Sequence, residues 1–150
     1  MIILPDIIQQ DEKVVVSFES FIKPTGKARP RLSLNGHAYT PKQTVLAENR
    51  LSLDCRRAMN YENRPTERPV RVVIQASFLI PQSLSLAKQA ALFGCAVTKK
   101  PDADNICKLV LDALNGIAYR DDKQVFSISI AKIYSHTDSI SVAVFEKLEI

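Results

Sequence analysis

Residues 100–125 read KPDADNICKLVLDALNGIAYRDDKQV, and this stretch decides how the rest of the chain is read. Ile106, Leu109, Val110, Ala113, Leu114 and Ile117 recur at the three-and-four spacing of a helix with one buried stripe. Pro101 and Asp102 mark its start, and Asn115-Gly116 its stop. The opposite stripe carries Asp104, Lys108, Asp112 and Asn115, which puts Asp104 and Lys108 on one exposed face about a turn apart. Asp121 and Asp122 follow after a short loop and precede a strand. Histidine is absent from the window, and Cys107 has the spacing of a core residue.

Asp102 and Asp104 converge only under one condition. Side chains two residues apart within a helix diverge by about 200°. Asp102 must therefore precede the first turn, in extended or capping geometry, as Pro101 favours. The pair then stands where the helix dipole favours negative charge. A strand returning beside the helix start can bring Asp121 or Asp122 to it. Converging carboxylates without histidine or thiolate form a hard-oxygen site, suited to Mg²⁺ or Mn²⁺ and not to structural zinc. Such an ion is completed by waters and phosphate oxygens, and the chemistry it suggests is phosphodiester hydrolysis by in-line attack of water. Lys108 is placed to hold a non-bridging oxygen. Each pair also has a purely structural alternative, Asp-x-Asp as a helix cap and Asp-Asp as a turn.

The string PDADNICKLVLDALNGIAYRDDKQV resembles the signature of the RusA-type Holliday-junction resolvases of bacteria and their prophages. That signature runs Asp-x-Asp-Asn, a lysine one turn on, Asp-Ala-Leu, an Asn-Gly turn and Asp-Asp-x-Gln-Val. The resemblance implies metal-binding aspartates at Asp102, Asp104 and Asp122, and an essential lysine at Lys108. Asp121 and Asn105 match as possible supporting residues. It further implies a homodimer acting on four-way DNA junctions, nicking two opposed strands to leave 5′-phosphate and 3′-hydroxyl ends. Such work belongs to DNA recombination and repair.

A chain of 150 residues suits one domain with one core, here 1–150. Apolar residues make up 46% and charged residues 24%, which excludes disordered and fibrous classes. No apolar run approaches the ~18 residues of a transmembrane helix. The opening MIILPDIIQQDEK lacks the basic region and cleavage site of a signal peptide. Cys55, Cys95 and Cys107 are odd in number and scattered, which argues for free thiols in a reducing bacterial cytoplasm or phage-infected host. The net charge of +4 is uneven: residues 1–22 carry −3 and the remainder +7. A basic body around an acidic cluster suits a nuclease, although ordinary solubility also accounts for a modest positive charge.

The remaining elements are read in order. Residues 13–22 alternate as a strand, and Met1–Gln10 forms an extra edge strand, a loose arm or a partner contact. Residues 23–42 form a loop with a short hairpin at Asn35-Gly36. Lys23, Lys27, Arg29 and Arg31 in this arm suit phosphate contacts, and family members carry a similar Gly-Lys-x-Arg-Pro-Arg segment. A helix over 41–60 begins with a Thr40/Gln43 capping box and presents Arg50, Arg56 and Arg57. A strand over 70–80, a short helix over 83–93 ended by Gly94, and a loop with Lys99 and Lys100 lead to Asp102. Residues 124–135 and 139–146 alternate as an antiparallel hairpin.

The expected architecture is one α/β (α+β) domain, a mixed sheet flanked by helices. The expected function is a Mg²⁺- or Mn²⁺-dependent endodeoxyribonuclease for branched DNA. Alternatives from other classes are a non-catalytic basic DNA-binding module and a metal nuclease acting on flaps or RNA.

Overall fold

A computed structural model of the chain describes residues 8–148. The expected arm or extra strand over Met1–Gln10 lies, for residues 1–7, outside the described residues. The elements run β1 (Glu12–Ser20), β2 (Arg31–Leu32), β3 (Ala38–Tyr39), α1 (Lys42–Ala58), β4 (Val70–Leu79), α2 (Leu86–Leu92), α3 (Ala103–Leu114), β5 (Val125–Ser135) and β6 (Ser139–Lys147). A single 3₁₀ turn, Asp122–Gln124, leads into β5. The main sheet has the order β1-β6-β4-β5, with β4 and β5 parallel and the other pairs antiparallel. This is the expected mixed α+β sheet in a single domain. β2 and β3 form the small hairpin read at Asn35-Gly36. Among the described residues no helix is long and apolar enough to cross a membrane.

The core lies between one face of the sheet and the helices α1 and α3. Val70, Val72, Ile74, Ala76 and Phe78 of β4 are buried there, as the alternation of that strand requires. α3 contributes Ile106, Leu109, Val110, Ala113 and Leu114, and α1 contributes Ala47, Leu51 and Cys55. Each large side chain so buried stabilises by about 1.5–3 kcal/mol. Burial pushes the Cys55 thiol up to about 12, so it is an inert part of the core.

One strand pairing departs from the sequence reading. Residues 125–135 and 139–147 do not pair as a hairpin, because β4 lies between them. The turn joining them passes over the end of β4, where the Leu79 N–H donates to Asp138 Oδ1 at 2.9 Å and the Ile80 N–H to the Ser135 carbonyl at 3.0 Å. Alternation reports which face a residue occupies, not which strand lies alongside. Nor does β6 have an exposed face, since Ser139 through Phe145 are all buried. Ile140, Val142 and Val144 enter the core, whereas Ser139 and Ser141 donate to Glu19 Oε2 at 3.0 and 2.9 Å on the other face. The Thr40 capping box is also absent: α1 starts at Pro41 without a side-chain cap, and the Thr44 hydroxyl faces the arm instead.

An ion pair closes the second face of the sheet. Arg71 donates from Nε to Glu12 Oε1 at 2.8 Å and from its terminal nitrogen to Oε2 at 2.7 Å, and its guanidinium lies 4.5 Å from the Phe145 ring centre. The Glu12 side chain is wholly buried, and its carboxyl is held below the ordinary 4.5, chiefly by the bond from Arg71. A carboxylate with a depressed folded pKa stabilises above the unfolded pKa and loses that stabilisation as pH falls. Glu12→Gln should therefore cost about 2 kcal/mol at neutral pH. The gap between variant and parent should narrow below pH 4.5, as measured by urea unfolding across pH.

Candidate metal and nucleic-acid site

The exposed stripe of α3 is where the acidic residues gather. Asp102 is the helix N-cap residue, with extended backbone at φ −68° and ψ 150°. Its side chain makes no capping hydrogen bond, so the carboxylate is not consumed by the helix end. The structure thus meets the condition that Asp102 precede the first turn. Asp104 lies in that first turn, exposed, and its charge helps raise the neighbouring Cys107 thiol after the larger effect of burial. Lys108 follows on the same exposed stripe.

Asp121 and Asp122 divide their roles. Asp121 caps the 3₁₀ turn, its Oδ1 accepting from the Lys123 N–H at 3.0 Å. This bond is the main cause that holds its carboxyl below the carboxylate range. Asp122 is pushed the other way, first by burial, then by its hydrogen bond with Asp121 and by the charges of Asp121 and Asp112. Lys108 opposes that shift. Asp122 therefore sits in negative potential partly offset by Lys108, the electrostatic condition that a divalent cation relieves.

Gln124 holds this turn in place, a function the sequence reading did not assign. Its side-chain oxygen accepts from the Asp121 N–H at 2.8 Å, and its amide nitrogen donates to the carbonyls of Thr66 and Arg68 at 2.8 and 2.9 Å. The turn is thereby fastened to the chain leading into β4. The only signal in the sequence was the place of Gln124 in the Asp-Asp-x-Gln-Val string.

The arm of residues 22–28 lies against the start of α3. The Lys27 N–H donates to the Asn105 carbonyl at 2.9 Å, which gives Asn105 a role in docking the arm. Gly26 is required here by contact: a Cβ on it would lie 2.8 Å from Asn105 Cβ and 3.1 Å from Pro101 Cβ. The Lys27 ammonium is spent within the protein, 2.8 Å from Glu48 and 3.3 Å from Asp112. It is an internal counter-ion in this structure, where the sequence had set it among the phosphate-binding cations. Its partners, distant in sequence, were not identifiable there.

The other basic residues vary in availability. Lys23, Arg29, Arg31 and Lys100 are exposed. Lys99 is exposed as well, with its ammonium 5.7 and 5.8 Å from the ring centres of Tyr134 and Phe78. On α1, Arg50 and Arg57 pair with Asp54 at 2.9 and 3.7 Å, which leaves Lys42 and Arg56 as exposed basic residues there without a described ion pair. His136 is an exposed turn residue that stacks on Phe93, with ring centres 4.6 Å apart.

The matched family model is that of endodeoxyribonuclease RusA, over residues 22–145. The chain belongs to the RusA endodeoxyribonuclease family. The match spans α1, α2, α3 and, of the main sheet, β4, β5 and most of β6, well beyond the signature string; β1 lies before it. A similar protein is the uncharacterized protein YqaN of Bacillus subtilis strain 168, 30% identical over 141 residues, covering 87% of this chain and 96% of the relative. RusA nucleases depend in general on a divalent metal. Among the described residues no three Asp, Glu, His or Cys side chains stand close enough to hold a metal between them. The donor set nonetheless fits such an ion chemically. Mg²⁺ needs only one or two carboxylates when waters and substrate phosphate complete its shell.

Two substitutions probe this arrangement. Gly26→Ala should displace the arm from α3, increasing protease cleavage within residues 22–31 without unfolding the sheet, as limited proteolysis and circular dichroism would show. Gln124→Ala removes the three bonds of its amide and should cost about 2 kcal/mol of stability. It should also lower DNA cleavage while leaving DNA affinity unchanged, measured by single-turnover cutting and by filter binding.

Proposed function

We propose that this chain is a Mg²⁺- or Mn²⁺-dependent endonuclease that resolves four-way DNA junctions as a homodimer. It nicks two opposed strands and leaves 5′-phosphate and 3′-hydroxyl ends in the bacterial or phage-infected cytoplasm. The observation that carries this reading is the family match over residues 22–145, in a chain whose Asp102 stands before α3 with a carboxylate that makes no capping bond and whose Asp104 and Lys108 share the exposed stripe of that helix. A two-fold dimer offers two equal sites to a near-symmetric junction.

In this reading the cation takes its carboxylates from Asp102, Asp104 and Asp122, one or two at a time, with water and substrate phosphate completing its shell. When bound, the ion supplies Lewis acidity toward the phosphoryl oxygen and lowers the pKa of water. Lys108, on the stripe with Asp104, directs its ammonium to a non-bridging oxygen and offsets the charge that grows there in the transition state. Asp121 and Gln124 keep Asp122 oriented. Asn105 does the same for the arm through its carbonyl. Lys23, Arg29, Arg31, Lys99 and Lys100 hold phosphates away from the reacting bond.

The open spacing of the carboxylates favours, as a second reading, a basic module that holds branched DNA without cutting it. Labelled junction, flap, duplex and RNA substrates, each with Mg²⁺, Mn²⁺ or EDTA, separate the two. The nuclease reading expects symmetric nicks in the junction, lost in EDTA and restored by added metal. Asp104→Asn should abolish cutting while junction binding persists. Lys108→Ala should lower the single-turnover rate by about 10²-fold or more. A protein that binds junctions and never cuts them with either metal would overturn this reading.

A further inference from the structure

Beside the N-terminus of α3 lies a groove of about 740 Å³ that meets the carboxylate site only at Asp102. Its walls come from the arm, the start of α1 and the loop before α3. Pro24, Pro41, Leu46 and Pro101 give it apolar surfaces. Lys23, Arg31 and Lys100 add exposed cations, and Asp102 stands on its lining. The groove is pre-formed. The Lys27 N–H is fixed to Asn105 on α3 at 2.9 Å, the Ala28 N–H to Thr44 Oγ1 on α1 at 3.4 Å, and the Lys27 ammonium to both helices.

A volume of 740 Å³ is that of a cleft for one small molecule, in the range of about 300–1,000 Å³. No double helix enters such a space. Apolar walls beside cations match a base with its attached phosphates: the positive charge follows the pattern by which single strands are held, with proline and leucine surface in place of a stacking aromatic ring. The side chains of Gln43 and Asn105 in the lining offer groups for a base edge. The helix N-terminus adds only a favourable dipole to these.

We infer that this groove receives an unpaired nucleotide of the DNA strand, next to the phosphate that the cation at Asp102 would hold. The inference rests on the proposed nuclease reading for the position of that phosphate. It assigns the arm to a splayed nucleotide, a feature available at a junction or a tail and absent from intact duplex. Lys23 and Lys100 grip its phosphates, and the proline and leucine surfaces cover the base.

The test is a binding measurement in EDTA on the full chain. One probe is a blunt duplex, and the other is the same duplex with an unpaired tail carrying a photoreactive pyrimidine. The parent protein should prefer the tailed probe. The double variant Lys23→Ala/Lys100→Ala, checked for folding by circular dichroism, should reduce that preference about tenfold. Photocrosslinks should map to residues 22–31, 41–47 or 100–105. The inference is overturned by equal losses on the two probes, by no loss on either, by a parent without preference, or by crosslinks elsewhere. Metal-dependent cutting of junctions is scored separately. A protein that cuts but shows none of these effects loses only the groove, and one that shows them but never cuts loses only the nuclease reading.

Discussion

Burial of one stripe of α3 fixes where the opposite stripe points. Ile106, Leu109, Val110, Ala113 and Leu114 cannot leave the core without exposing their side chains, at about 1.5–3 kcal/mol for each large one. The helix therefore cannot rotate, and Asp104 and Lys108 face outward. The N-terminal end of the same helix sets Asp102 in extended geometry before the first turn. Its C-terminal end is closed by Asn115 and by Gly116, whose φ of +79° suits a residue without a Cβ. The loop that follows delivers Asp121 and Asp122. One packing decision thus orients Asp102, Asp104 and Lys108, while Gln124 fixes the turn that carries Asp121 and Asp122.

Much of this was legible because helical periodicity is local. The stripe, its ends and the place of Asp102 before the helix all follow from residues within a few positions of one another. Long-range pairing is a different matter. β6 was readable as a strand, yet its partner was not, since Ser139 and Ser141 mimic exposed positions. They are buried, and Glu19 on the neighbouring β1 satisfies their hydroxyls. The central position of β6 depends on a carboxylate some 120 residues away in the chain. The same holds for Lys27, whose charge is set by Glu48 and Asp112 on two different helices. The constraint on Gly26 is likewise long-range, contact with Asn105 and Pro101.

The arm shows how such a basic segment divides its labour. A lysine with two carboxylate partners within 3.3 Å is a poor candidate for a phosphate, because leaving them would strand two negative charges. Its partners instead make it a staple that holds the arm between α1 and α3. The cations kept for solvent lie on either side of that staple, at Lys23 and Arg31, where the backbone is already fixed. Fixing the backbone first reduces the entropy lost when a nucleic acid binds.

A comparable division governs the adjacent aspartates. Two neighbouring carboxylates cannot both be stabilised as anions by the same few donors. The fold gives the backbone N–H of Lys123 to Asp121, and Gln124 secures the Asp121 main chain. Asp122 is left with carboxylate neighbours and Lys108. A residue kept in that state is disfavoured in the isolated protein, and a cation binding there recovers the difference. The two aspartates are thus set apart by their surroundings: Asp121 consumes the local backbone donor, and its own charge adds to the negative potential at Asp122.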